Sequence, residues 1–491
     1  MQRFIFSAAL AVLLLPCAGV AAPILVPPPP TMSLADGAAI AAELAAAPAQ
    51  GLAAQDVSGD VPALADPDPA ARLAADGRLS RAAIAFAGAE HGMDLDPRAV
   101  DPNFALRAPF NAAAEFYQAR ASGQVGAWLA AQTRHDAAYV ELLAARDRYA
   151  GLIAAGGWEP IPAGAPLKVG ARDPRVPALV TRLAAEGYAP AAPPASPASA
   201  PPPPKDPLLY DAALAAAVSD YQTHHAIDPT GVLDAATLAA LNVSAKDRLT
   251  AIEVNLERAR WLPVVLPPQR IEADIAGPDV TLVVDDKPSL SMRAVAGAPH
   301  KETPTFASAV DAVEFNPPWY VPADIARKEL FPKEAASPGY FARNDFMVSG
   351  GRLIQRAGPM SALGYVKFDI SDPFSVYLHD TPSRSGFDSD QRWRSHGCMR
   401  LQMPRQLAAA LLAPQGWTPA TIDAAIAAKA TRTVPLKTKT PVYLIYRTAM
   451  AGDDGKVTFR ADVYHWDEEL AASLAGHPLP THPHAATSAA P

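Results

Sequence analysis

The spacing of apolar positions changes character twice along the chain, and those changes divide it. From Ala71 to Gly157 apolar residues recur at helical spacing in the Ala/Leu-rich segments Leu79 to His91, Ala105 to Ala121 and Ala127 to Ala155. Leu142, Leu143, Tyr149 and Leu152 follow one face, and Asp101-Pro102 and Gly156-Gly157 mark ends. This predicts a helical domain over 71–161 whose residues all serve packing. Over 162–242 shorter amphipathic pieces follow, with Val176, Leu179 and Leu183 on one helix and Leu214, Val218 and Tyr221-Gln222 on a second. The turn Asp228-Pro-Thr-Gly231 then leads to a third helix ending at Asn242. Residues 243–269 read as a charged connector helix, where Asn255, Arg258 and Arg260 serve either domain contacts or a solvated face. From Arg270 the period shortens to two, which predicts strands at Val280 to Val284, Ser289 to Val295, Val310 to Phe315, Leu363 to Phe368 and Ser375 to Leu378. Two more, Pro441 to Tyr446 and Lys456 to Tyr464, are expected to close the sheet, and Pro404 to Leu412 reads as an amphipathic helix. The helix-like piece Ile325 to Phe331 and its loops interrupt the strands at about 322–361. The expected fold class is α+β and multidomain, helical modules preceding a β-rich domain over 270–470.

Composition refines this division. The 491 residues suffice for about three domains, and half of them are hydrophobic. The 52 prolines cluster, which marks linkers rather than strands. The Ala/Pro-rich stretch 23–70 is expected to be a disordered tether, 189–204 a semi-rigid spacer inserted within the second helical module, and 471–491 a disordered tail with idle His477, His482 and His484. Met1 to Ala22 has a positive start, an apolar run and small residues, the layout of a secretory signal, so the expected location is the periplasm with no membrane span after cleavage. Leu14-Leu-Pro-Cys17 also has the length of a lipobox, though Pro16 suits it poorly. The net charge of −8 argues against a nucleic-acid partner.

Cleavage of the signal would leave Cys398 as the one cysteine, in the sequence Ser395-His-Gly-Cys-Met-Arg400, with His379-Asp-Thr-Pro382 upstream. A free thiol is mostly protonated at neutral pH, so a nucleophilic cysteine needs an imidazole to take its proton and a third group to fix the imidazole tautomer. Gly397 lacks a Cβ and lets the backbone approach a substrate, so that the N–H groups of Gly397 and Cys398 could face an oxyanion. A buried, inert cysteine is the plain alternative. Zinc has no second cysteine, no His-Glu-x-x-His and no Cys-x-x-Cys to hold it, and no cofactor is expected.

The pairing of His379-Asp-Thr-Pro382 with Arg392 and Ser395-His-Gly-Cys-Met-Arg400 resembles the signature of the L,D-transpeptidases, the YkuD-type enzymes that cross-link bacterial peptidoglycan. Arg400, where many members carry Asn, resembles the larger multidomain subgroup. The resemblance implies a mixed β-sandwich catalytic domain, a helical scaffold at 71–161, a three-helix peptidoglycan-binding-like module at 162–242 and a mobile cap at about 322–361. It also implies Cys398 as nucleophile, His379 as general base, the Asp380 carbonyl as its orienting group, and His396 as a structural or oxyanion-side residue. Substrate contacts would fall on Arg400, Arg392, Ser395, Thr381 and Trp319. The two arginines could instead pair with local carboxylates, and Trp319 could simply pack. The implied partners are peptidoglycan stem peptides, a donor tetrapeptide and an acceptor amine, with wall synthases beside them. Interception of the acyl-enzyme by water or by a protein lysine stays open, as does a non-catalytic wall-binding scaffold.

Overall fold

A computed structural model describes residues 32–107, 109–188, 206–389, 391–452 and 454–476. The signal-like segment, the Pro-rich spacer and the terminal histidines lie outside the described residues.

The helices start where short polar side chains can satisfy free backbone N–H groups. Ten of them precede the β-rich part: α1 (Leu34–Ala46), α2 (Asp60–Ala63), α3 (Pro69–Glu90), α4 (Ala112–Ala121), α5 (Val125–Ala130), α6 (Ala137–Ala154), α7 (Val176–Ala185), α8 (Ala212–His224), α9 (Ala235–Leu241) and α10 (Ala245–Arg260). Ser33, Asp68, Asn111, Asp136, Asp211, Asp234 and Ser244 each accept an N–H of the first turn that follows. The Asp136 cap divides the single helix expected over 127–155 into α5 and α6, and the helix expected from Ala105 begins only at Ala112.

The expected tether is corrected for residues 32–70. Met32, Ile40, Leu44 and Leu64 pack with Ala75, Leu79, Ala82 and Phe86 of α3 in one core. The Met32 N–H donates to the buried carboxylate of Asp76, which also receives Arg120. Composition suggested disorder because α1 is mostly alanine, but its two large buried residues, Ile40 and Leu44, are enough to seat it on α3.

On either side of the Pro-rich spacer, α7, α8 and α9 pack around Leu179, Leu183, Tyr210, Leu214, Val218, Tyr221 and Leu241. Gln222 is wholly buried and fully used: its amide donates to the Val232 carbonyl and Thr237 Oγ1, and its oxygen accepts from Gly231 N–H. The connector α10 is buried among domains rather than solvated. Ile252 and Leu256 pack with Tyr139, Leu142 and Phe459, while Asn255 exchanges hydrogen bonds with Thr448 and Arg258 pairs with Asp467 at 2.5 Å.

Fourteen strands follow: β1 (Arg270–Asp274), β2 (Asp279–Val284), β3 (Lys287–Gly297), β4 (Phe306–Phe315), β5 (Trp319–Tyr320), β6 (Phe346–Ser349), β7 (Arg352–Gln355), β8 (Val366–Ile370), β9 (Leu378–His379), β10 (Trp393–Ser395), β11 (Met399–Leu401), β12 (Arg432–Ile445), β13 (Ala449–Ala451) and β14 (Val457–Phe459). Nine form a mixed sheet in the order β10-β3-β11-β9-β8-β4-β12-β1-β2, which closes on itself through a β2–β3 pairing. The helices Pro404–Leu412 and Pro419–Ala427 contribute Leu407, Leu411, Leu412, Ile422 and Ile426 to the same core. Lys456 to Tyr464 does not close this sheet, because among the described residues β14 pairs with β13 in a separate hairpin that docks on α6, α8 and α10. A third sheet, β5-β7-β6, belongs to the insertion and has its own small core of Val321, Ala326, Leu330 and Leu353.

One buried pair ties these modules together. Arg182 on α7 donates to Glu186 at 2.6 Å and to the Leu241 carbonyl at 2.7 Å, its guanidinium lies 3.6 Å from the centre of the Trp158 ring, and Tyr149 on α6 donates to the other Glu186 oxygen. Removing one partner strands the other charge away from water. Arg182→Ala should therefore destabilise this module by about 3–5 kcal/mol, read as a lowered denaturation midpoint; a change below about 1 kcal/mol, the level of an exposed pair, would contradict the assignment.

Candidate functional site

The Cys398 site is built on the short parallel pairing of β9 with β11, in which Leu378 faces Met399 and His379 faces Arg400. Successive strand residues point to opposite faces. Leu378 and Met399 are both fully buried in the core, so Tyr377, His379, Cys398 and Arg400 are turned together to the other face. The next strand, β8, places Lys367 opposite His379, and its Nζ lies 5.0 Å from the centre of the Tyr377 ring.

His379 is buried, and its Nδ1 donates to the Asp380 carbonyl at 2.6 Å. That bond fixes the tautomer and leaves Nε2 as the acceptor. Burial pushes the imidazole down to about 3, with the Arg400 and Lys367 charges adding to the effect, so it is neutral at physiological pH. The Asp380 carboxylate serves the scaffold instead. It accepts from Tyr365 N–H at 2.9 Å and Thr381 N–H at 2.8 Å, beside Gly364, where a Cβ would meet the carboxyl carbon at 2.5 Å.

Cys398 is partly open to solvent, and its thiol donates to the Ser375 carbonyl at 3.9 Å. Desolvation pushes it up to about 11, with the neighbouring Tyr377 acting in the opposite direction. Ser375 and Tyr377 do not extend β9 as expected. The Asp372 carboxylate accepts from Phe374 N–H and Val376 N–H, which curls the loop and holds Ser375 at φ 57°, in the left-handed region. The curl presents the Ser375 carbonyl to the sulfur.

The loop before the thiol is closed by Ser395, whose Oγ donates to the Cys398 carbonyl at 2.6 Å and accepts from Gly397 N–H at 3.1 Å. Gly397 has φ 113°, a conformation that suits glycine. Its N–H is thus engaged by Ser395 and does not face the substrate side as expected, whereas Cys398 N–H has no backbone partner among the described residues. The Gly397 carbonyl accepts from Thr303 Oγ1, which accepts from Gly297 N–H, and Tyr464 hydroxyl closes the chain on the Gly297 carbonyl.

The other expected site residues divide. Arg400 stands beside His379 and the thiol, and Trp319 lies near Tyr377 from the insertion. Arg392 lies away from the thiol, donating to Asp279 and the Gly277 and Pro278 carbonyls, and Thr381 is buried beneath His379 with its Oγ1 accepting from Ser383 N–H. Ser395 is likewise buried in its turn. His396 points to the insertion, where its Nε2 meets Glu329 at 2.6 Å. A cavity of about 960 Å³ lies across the barrel between α6, α10 and β12, and none of these residues lines it. The residues the sequence did not single out are Tyr377, Ser375 and Glu329. The two-residue period through His379 was a usable signal for Tyr377; none existed for the others.

A thiol titrating above its usual range reacts only through its small thiolate fraction. Alkylation of Cys398 by iodoacetamide should therefore rise roughly tenfold per pH unit between about pH 7 and 10, and a rate that levels off by pH 8 would contradict this environment.

Residues 268–444 match the L,D-transpeptidase catalytic domain, 172–241 the family described as "Putative peptidoglycan binding domain", and 32–145 the scaffold domain. A Haemophilus influenzae protein named "Putative L,D-transpeptidase" is 31% identical over 202 residues, covering 37% of this chain and 41% of that relative. The chain thus matches less than half the length of that relative. Among solved structures, an Enterococcus faecium L,D-transpeptidase variant is 14% identical, with 42% of this chain and 65% of that chain covered and a TM-score of 0.21. A Mycobacterium smegmatis L,D-transpeptidase is 17% identical, with 36% and 58% covered and a TM-score of 0.20. The β-rich part of this chain is therefore similar to the L,D-transpeptidase catalytic domain, and the helical parts before it to a scaffold domain and a peptidoglycan-binding domain.

Proposed function

We propose that the chain forms 3→3 cross-links between peptidoglycan stem peptides through a thioester on Cys398, acting as an exported, periplasmic enzyme. The observation that carries this reading is the shared face of β9 and β11, which sets a neutral, tautomer-fixed imidazole beside a protonated thiol. His379 Nε2 takes the thiol proton as Sγ attacks the carbonyl of the third stem residue. The C–N bond to the terminal D-Ala breaks, and His379 returns the proton to the leaving amine. The side-chain amine of the diamino acid in a second stem then attacks the thioester, giving the cross-link and restoring the thiol through the same imidazole. Cys398 N–H is the donor left to face the oxyanion, since Gly397 N–H is engaged. Arg400 holds positive charge beside the forming thiolate. The α7–α9 module would keep the enzyme on the wall, and its fixed position against the β13–β14 hairpin, where Lys456 pairs with Asp220 at 2.5 Å, favours cooperation with the site over free tethering.

The reading is tested by incubating the protein with a disaccharide-tetrapeptide and separating the products. The parent should release D-Ala and form 3→3 dimers, Cys398→Ala should form none, and His379→Gln should slow the reaction by roughly 10²–10⁴-fold. Tripeptide without dimers would identify water as the acceptor. Unchanged wall binding with no released D-Ala in the parent would favour the scaffold reading.

A further inference from the structure

The insertion is a separate body with its own sheet and core, yet it reaches the barrel at a charged point on the loop that carries the nucleophile. Glu329, on the helical stretch 323–336, places Oε1 2.8 Å from Lys301 Nζ and 2.6 Å from His396 Nε2. Both partners belong to the barrel. Lys301 sits in the loop after β3, and His396 stands two residues before Cys398. The Lys301 bond, then the His396 bond, holds the Glu329 carboxyl down to about 2, so it is ionised. All three side chains are partly solvent-exposed, with 46%, 34% and 32% of the Lys301, His396 and Glu329 surfaces open. A pair so exposed contributes little to stability. Its position on the loop that carries the thiol therefore needs another account.

Lys301 and His396 form a two-pronged anion receptor, and the group in it is a carboxylate. The donor peptide carries a carboxylate on the residue that leaves, one residue beyond the scissile carbonyl. We propose that Lys301 and His396 bind the terminal α-carboxylate of the peptide donor, and that Glu329 occupies this subsite as an internal stand-in while the insertion lies over the cleft. Donor binding replaces one carboxylate by another, which releases the insertion at small net cost because the charge pairing is conserved. Trp319, also on the insertion, lies near Tyr377, so release would free the cleft at two points. The inference deepens the proposed function, since it names the donor group that the site selects.

The test is read by binding, so that it stands apart from turnover. In the Cys398→Ala background, the tetrapeptide and its C-terminal amide are titrated by calorimetry. The free acid should bind about tenfold more tightly than the amide, as expected for a charge-assisted contact. Adding Glu329→Gln, which keeps the shape and removes the competing charge, should tighten the acid several-fold and leave the amide unchanged. Adding Lys301→Ala should abolish the difference between the two. Equal affinity of acid and amide, absence of binding by both, or weakening of both by Glu329→Gln would overturn the proposal. If acid and amide differ as stated while the parent releases no D-Ala, the subsite stands and the transpeptidase reading fails.

Discussion

The β9–β11 pairing is the constraint on which the site depends. It is parallel and only two residues long in its register, but it sets Cys398 and His379 on one face with a fixed offset. A one-residue slip of either strand would turn its polar site residue into the core and bring out its apolar neighbour, Leu378 or Met399. Burying those two apolar side chains, each worth about 1.5–3 kcal/mol, therefore specifies the geometry of the polar face as well as stabilising the sheet.

So short a pairing needs support from outside, and the chain supplies it from both ends. On the C-terminal side, the path from Tyr464 through Gly297 and Thr303 to the Gly397 carbonyl fixes the loop that carries the thiol. On the N-terminal side, buried Asp101 accepts from both Thr305 N–H and Thr305 Oγ1, just before β4, and Phe104 and Leu106 enter the barrel core. The helical region is thus part of the frame that holds the site, and α10 joins it to the β13–β14 hairpin through Asn255 and Thr448. Desolvation then acts twice on this frame. It keeps His379 neutral and able to accept a proton, and it keeps Cys398 protonated until substrate arrives.

Much of this architecture is legible in the sequence because it is written in periodicity. The switch from helical to two-residue spacing at Arg270 coincides with the start of β1, and the spacing of His379 and Cys398 carried the chemistry. What escaped was set by contacts distant in sequence or by backbone conformation. The helix over Leu34–Ala46 is mostly alanine and gains its place only by packing Ile40 and Leu44 on α3. The left-handed turn at Ser375 is imposed by Asp372, so a pattern that reads as strand does not form one. The engagement of Gly397 N–H depends on which way Ser395 Oγ turns, and the Glu329 contact spans 67 residues.

The central claim is that this face makes Cys398 an acyl carrier. The most direct measurement is the intact mass of the protein quenched during reaction with a tetrapeptide donor, followed by peptide mapping. The account predicts a gain equal to the donor less its terminal D-Ala, placed on the peptide containing Cys398, and lost on treatment with hydroxylamine. Release of D-Ala with no adduct on Cys398, or an adduct on another residue, would contradict it.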